Sequence, residues 1–242
     1  NSGPVRLLDM VEGRSKSVFK QWLSERDQAW RDRVEVVAMD GFTGFKTATT
    51  EELPDAVAVM DPFHVVRLAG DALDRCRRRI QQDLHGHRGR AGDPLYSARR
   101  TLHTGASLLT DKQKTRLDAL FADEAHTELE VTWAAYQRMV TAYRDPDPAR
   151  GRDLMNKLIA SLASGVPAAL VELRTLGRTR KQRAVDVLAY FDRPSTSNGP
   201  TEAINGRLEH LRGSALGFRN LTNYIARSLL ETGGFRPRLH PG

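Results

Sequence analysis

Cysteine is nearly absent: Cys76 is the one thiol in 242 residues. A disulfide framework and a Cys-rich zinc site are therefore both excluded. No apolar run approaches the roughly 20 residues needed to cross a bilayer, and Asn1 to Met10 lacks the basic-then-apolar layout of a secretory leader. The expectation is a soluble, cytoplasmic chain. Internal repeats and low-complexity tracts are missing too. What is present, 40% apolar and 28% charged residues, is enough to bury a core and excludes wholesale disorder. The length suits one large domain or two small ones. The chain opens on Asn inside an apolar-rich segment, and the expectation is a fragment.

Lysine is scarce as well: 30 of the 37 cations are arginine, which binds phosphate bidentately where lysine acts as a point charge. Residues 1–60 carry 8 Lys/Arg and 10 Asp/Glu, whereas 61–242 carry 29 and 20, so the formal charge of +7 is regional. Two clusters stand out, Arg75, Arg77, Arg78 and Arg79, then Arg174, Arg178, Arg180, Lys181 and Arg183. Taken singly, each could be a solvated helix face. Their recurrence within one region points to a polyanion-binding surface.

Strands are confined to the first quarter. Val5–Val11, Val34–Met39 and Ala56–Met60 read as strands, separated by helical spacing over Ser15–Arg31 (Ser15 as cap) and Gly44–Leu53. Strand–helix–strand alternation with such linkers implies parallel pairing in an α/β layer. Past Phe63 only helices are expected: His64–Leu84, then, after a basic loop at Gly86–Pro94, Leu95–Leu109, Asp111–Ala122 behind a Thr110/Gln113 capping box, Glu124–Tyr143, Gly151–Ser164, Pro167–Leu176 and Lys181–Phe191. The Asp192–Pro200 loop leads to helices at Thr201–Ala215 and Leu221–Leu230, and a frayed tail is expected from Gly233.

In open α/β sheets ligands gather at the carboxyl ends of strands. Asp40 and Asp61 each follow a strand directly, although Asp-Gly and Asp-Pro are also ordinary turn starters. Glu202 falls in the first turn of a helix, where a carboxylate suits the dipole, with Asn198, Gly199 and Asn205 around it. Convergent carboxylates beside a basic surface suggest metal-assisted phosphodiester chemistry with Mg²⁺ or Mn²⁺. His64, three residues after Asp61, reads first as a local contact at a helix start.

The segments Val36–Gly41, Leu53–Arg67 (with Asp-Pro-Phe-His-Val-Val), Leu73–Arg78, Ser197–Asn205 (Ser-Asn-Gly-Pro-Thr-Glu-Ala-Ile-Asn) and Gly217–Arg227, in this order and spacing, resemble the ISL3 family of bacterial insertion-sequence transposases over about residues 5–235. The resemblance implies an RNase H-like DDE catalytic domain acting on transposon ends, Mg²⁺ or Mn²⁺ as cofactor, and a homo-oligomer in the full-length family. Asp40 matches the family's second catalytic Asp and Glu202 its Glu, both as metal ligands. Asp61 and His64 match a Cys/Asp-x-x-His motif and, with Asn198 and Asn205, support the site. The implied layout is a partial RNase H-like α/β region at 1–70, a helical insertion at 71–191, and a C-terminal part at 192–242 that carries the Glu. The family's first Asp and its cysteine-bearing DNA-binding region have no counterpart here, and Asp9 is a poor substitute. Weak or absent activity of the isolated chain is expected. Two other readings stay open: a non-catalytic DNA-binding remnant and a nuclease of the same fold class.

Overall fold

The computed structural model describes residues 5–234 except 88 and 91, and leaves the side chains of 179–181 outside the description. Most of the expected frayed tail, and part of the basic loop, thus lie outside the described residues. The chain divides into two compact units, Asn1–Ala58 with Ser197–Gly242, and Val59–Thr196.

The first unit holds most of the sheet. Strands β1 (Val36–Met39) and β2 (Val57–Met60) form a parallel pair, in which Val57 N–H donates to the Glu35 carbonyl at 2.9 Å. The unit boundary falls inside β2. Three strands were expected. Val5–Val11 is instead irregular backbone, tied down by the Leu7 N–H to the Thr232 carbonyl at 2.8 Å. The helix expected over Ser15–Arg31 is also two helices. Helix α1 (Lys16–Ser24) starts where Ser15 Oγ accepts from Val18 N–H. Asp27 then accepts from Trp30 N–H at 2.6 Å and caps a new helix, α2 (Gln28–Asp32), because a carboxylate at that place binds free helix-start donors better than it tolerates a helix interior. Helix α3 (Thr43–Glu52) packs on α1. Phe19 meets Phe45 edge-on at 5.3 Å, and Lys16 and Lys20 clasp Glu51 at 2.8 and 2.6 Å.

Two C-terminal helices complete this unit, α11 (Gly199–Ser214) and α12 (Leu221–Thr232). The turn after α11 pairs Gly217 N–H with the Arg212 carbonyl (2.9 Å) and Leu216 N–H with that of Gly213 (3.1 Å), the two bonds of a Schellman ending. Its left-handed position, normally glycine, is Leu216 at φ +52°. Left-handed backbone costs an L-residue roughly 1–2 kcal/mol.

The second unit is all helix apart from the end of β2, with α4 as its axis (Pro62–His85). Asp61 caps it, Pro62 occupies its first turn, and Gly86 at φ +67° ends it. Val65, Ala69, Leu73, Cys76 and Ile80 recur at helical spacing and are all buried. They face α7 (Thr127–Arg144), which in turn packs on α8 (Pro148–Ala163), with α9 (Val171–Gln182) and α10 (Ala184–Asp192) closing the core around Met155, Leu158, Leu173, Leu176, Val187 and Phe191. Helix α6 (Asp111–Phe121) carries the expected Thr110/Gln113 capping box. The single helix expected over Leu95–Leu109 is absent. A short α5 (Pro94–Ser97) is followed by 3-10 turns at 101–103 and 106–108. The cause is tertiary: Gln137 of α7 donates to the Thr104 carbonyl (2.9 Å) and accepts from Ala106 N–H (2.8 Å), while Tyr136 Oη donates to the His103 carbonyl (3.1 Å). Side chains thus take up backbone groups that a helix would have paired internally.

Candidate functional site

Two of the expected site acids lie in the first unit. Asp40 is exposed one residue past β1, where its Oδ1 accepts from Phe42 N–H at 2.9 Å in the turn that launches α3. Glu202 is exposed in the first turn of α11, where the positive end of the helix dipole favours a carboxylate. Neither makes an ion pair among the described residues. Asn198 sits at the start of α11 and Asn205 about two turns further along. No group of three or more His, Cys, Asp or Glu side chains that could hold a metal ion occurs among the described residues.

Asp61 and His64 belong to the second unit. Asp61 is only 5% exposed, and its Oδ2 accepts from His64 N–H at 3.0 Å as the cap of α4. The Asp-x-x-His spacing thus has a local structural use, since a capping oxygen reaches the N–H three residues on.

A cavity of about 510 Å³ lies within the first unit. The 6–15 segment and α1 wall it with Leu7, Leu8, Val18 and Trp22, and Phe45 and the α11 residues Thr201, Ile204 and Asn205 close it. Asp9 lines it but is fully committed: Oδ2 accepts from Trp22 Nε1 at 2.8 Å and Oδ1 from Met10 N–H at 2.8 Å. The Trp22 hydrogen bond outweighs burial and, with Arg26 nearby, holds the Asp9 carboxyl below the usual carboxylate range. Trp22→Phe keeps the wall and removes the donor. The Asp9 carboxyl is then expected to titrate at higher pH than in the wild type, as followed by carboxyl-carbon NMR; an unmoved titration would show that the indole donor is not the cause. Reading 5–11 as a strand hid this cavity. The adjacent Leu7-Leu8 pair, which breaks strand alternation, was the available signal.

The arginine clusters lie on α4 and on α9 with the turn that follows it, and α4 and α9 pack together. Arg75 and Arg78 are exposed, the latter 3.0 Å from Asp74. Arg77 is 3% exposed, held by Asp74 and Gln81, and so turns away from any external phosphate. Arg79 bridges helices, binding Glu172 of α9 through Nε and Nη2, both at 3.0 Å, and Glu128 of α7 at 2.6 Å. Arg174 and Arg178 are exposed and line a cavity of about 450 Å³ with Gln182. Arg183 is paired with buried Asp186 at 2.6 Å. The side chains of Arg180 and Lys181 lie outside the described residues. Burial pushes the Cys76 thiol up to about 11, so it stays protonated at neutral pH and is no nucleophile. No helix among the described residues is long and apolar enough to cross a membrane.

A family model described as Transposase, of the ISL3 DDE type, matches residues 2–228. Two curated relatives, both named as the transposase for insertion sequence element IS1557, come from Mycobacterium tuberculosis strains CDC 1551 / Oshkosh and ATCC 25618 / H37Rv. Each is 26% identical over 257 residues, covering 98% of this chain and 56% of the relative. The chain therefore spans little more than half their length. No solved structure matches it.

Proposed function

The chain belongs to the ISL3 family of insertion-sequence transposases, and on that premise we propose that it is part of a DDE enzyme that cleaves and rejoins DNA at transposon ends. Strands β1 and β2 belong, in this reading, to an RNase H-like sheet, and the second unit is its helical insertion. Asp40 and Glu202 are the acids. The observation that carries the reading is their setting: both are exposed, in one unit, at the end of a parallel strand and the start of a helix, and without an ion-pair partner among the described residues.

Their donor chemistry fits a hard divalent cation. Mg²⁺ keeps several waters and is commonly held by one or two carboxylates together with substrate phosphate, so two acids suffice for a water-completed site. When bound, such an ion supplies Lewis-acid stabilisation to the phosphodiester. Asp40 and Glu202 would hold it, while Asn198 and Asn205 offer amide groups beside Glu202. Water is the first nucleophile and a freed 3′-hydroxyl the second. Arg75, Arg78, Arg174 and Arg178 offer exposed guanidinium groups for backbone phosphates, and Arg180 and Lys181 join them by sequence position. Assembly with a second copy is carried by family resemblance. A non-catalytic DNA-binding role is the second reading, favoured by the exposed arginines of α4 and α9.

Mn²⁺ binding followed by electron paramagnetic resonance separates the two. Asp40→Asn and Glu202→Gln are each expected to weaken it by about tenfold or more, and to abolish any Mn²⁺-dependent nicking of supercoiled plasmid. Full Mn²⁺ affinity in both variants would leave only the DNA-binding role standing.

A further inference from the structure

The α11–α12 turn holds a side chain that nothing in the fold explains. Leu216 is 98% exposed, in left-handed backbone that most helix endings give to glycine. It makes no packing contact that would offset the strain. The turn is nonetheless fixed on both sides. The two carbonyl caps from Arg212 and Gly213 hold it to α11. Beyond it, the Phe218 ring lies 5.1 Å from that of Tyr224, and Asn220 caps α12 by accepting from Asn223 N–H at 3.3 Å. An apolar side chain is thus presented to solvent from a rigid support against its own backbone preference. Unexplained strain of this kind is a pointer to function.

The surroundings identify the partner. Arg207, Arg212, Arg219 and Arg227 are all exposed on the two helices and their turn. Glu209, 3.7 Å from Arg212, and Glu231 are the acids of these helices past their first turns. A lone leucine offers far less apolar area than a protein partner needs, since stable protein interfaces bury on the order of 1,200 Å² or more. A single apolar side chain amid arginines does suit duplex DNA, where Leu, Phe or Met wedges enter a base step while cations hold the phosphates.

We propose that Leu216 is a DNA wedge, inserting at a flexible base step while Arg212 and Arg219 grip the flanking backbone. The proposal rests on the DNA-processing reading above. Twelve further residues of α11 at 1.5 Å each and the two-residue turn separate it from Glu202, roughly 20 Å, or about six base pairs. The wedge would therefore bend or unstack the duplex at a fixed distance from the proposed cleavage centre, and would favour pyrimidine–purine steps, the easiest to unstack.

The test uses the whole chain, Leu216→Gly, and Leu216→Ala, which removes the side chain but keeps the strained backbone. The probe is a 30-base-pair duplex with 2-aminopurine at a TA step, scanned along the duplex in a set of otherwise identical probes. Leu216→Gly is expected to raise the urea midpoint of unfolding. Both variants are expected to lose the fluorescence rise that reports unstacking and to bind the duplex about tenfold more weakly. Wild-type binding without any fluorescence rise, or a rise unchanged in both variants, overturns the wedge and leaves the DNA-processing reading intact. No duplex binding by the wild type overturns both. Loss of self-association in the variants, read by sedimentation, would assign Leu216 to a second copy instead and also overturn the proposal.

Discussion

Replacing Arg79 by Met is expected to destabilise the helical unit by about 3 kcal/mol at neutral pH, the low end for removing one partner of a buried ion pair. The low end applies because 31% of the Arg79 side chain remains exposed. The loss does not come chiefly from missing attraction. Glu172 is 8% exposed and faces Arg79 through both carboxylate oxygens at 3.0 Å, so the variant strands a charge in the interface between α4 and α9. Burial alone pushes the Glu172 carboxyl up; the Arg79 hydrogen bonds and charge more than offset this and hold it below the ordinary carboxylate value. In the wild type the folded value is depressed, so this stabilisation is present above the unfolded-state value of about 4.3 and is lost as pH falls through the lower folded value. Without Arg79 the burial effect dominates and the folded value rises above the unfolded one. Acidification then relieves the defect by neutralising Glu172. The gap between variant and wild type should be widest near pH 7 and shrink towards pH 4, as measured by urea unfolding. A second change, Glu172→Gln, should recover most of the loss at pH 7. A gap that ignores pH would show that lost packing by the arginine stem, and not the stranded charge, is responsible.

That network also shows where sequence reading stops. Arg75, Arg77, Arg78 and Arg79 are alike in sequence, and helical spacing alone separates them by angle. Which of them faces water depends on Asp74 and Gln81 one turn away and on Glu128 and Glu172 some 50 and 90 residues on. The same limit explains the segment 95–109. Its composition allows a helix, but Gln137 and Tyr136 claim its carbonyls and an N–H. Features set by immediate neighbours were legible: the β1 and β2 runs of Val and Ala, the Ser15 cap, the Thr110/Gln113 box, and the ending of α4 before the Gly86 loop. Val5–Val11 had the composition of a strand but gained no partner strand among the described residues, and Asp9 and Leu7 were tied instead to Trp22 and Thr232.

For the candidate site the division is similar. That Asp40 would follow a strand and Glu202 open a helix was readable, because both depend on local signals: a β-branched run before Asp-Gly, and Asn-Gly-Pro-Thr before a helical stripe. That Asp61 would be almost buried as the cap of α4 was open to the same reasoning, since Asp-Pro with a donor three residues on is a helix-start pattern. Leu216 was beyond reach. Its sequence context, Gly-Ser-Ala-Leu-Gly, marks only Gly217 for a positive φ, which it adopts at +92°; nothing in the pattern shows that Leu216 before it is left-handed as well.

Gly177 of α9 and Gly206 of α11 are both helix-interior glycines, but their surroundings differ. Ala has a helix propensity about 1 kcal/mol better than Gly, so Gly→Ala inside a helix stabilises wherever the new methyl finds space. At Gly206 of α11 nothing lies within 4 Å of the added carbon, and Gly206→Ala should stabilise by up to about that amount. At Gly177 the same carbon would sit 2.1 Å from the Leu162 carbonyl oxygen and 2.8 Å from its carbon. These are backbone atoms of α8, so no rotamer change can clear them; the two helices must move apart. Separation would loosen Leu158, Leu162, Leu173 and Leu176, all buried around this crossing. Overpacking of this sort costs about 1–3 kcal/mol, occasionally more, and with backbone as the obstacle the upper part of that range applies. The clash therefore outweighs the propensity gain, and Gly177→Ala is expected to destabilise by about 2 kcal/mol net, read as a lower urea midpoint. Equal midpoints for Gly177→Ala and Gly206→Ala would mean that α8 and α9 do not approach as closely as their glycine contact requires.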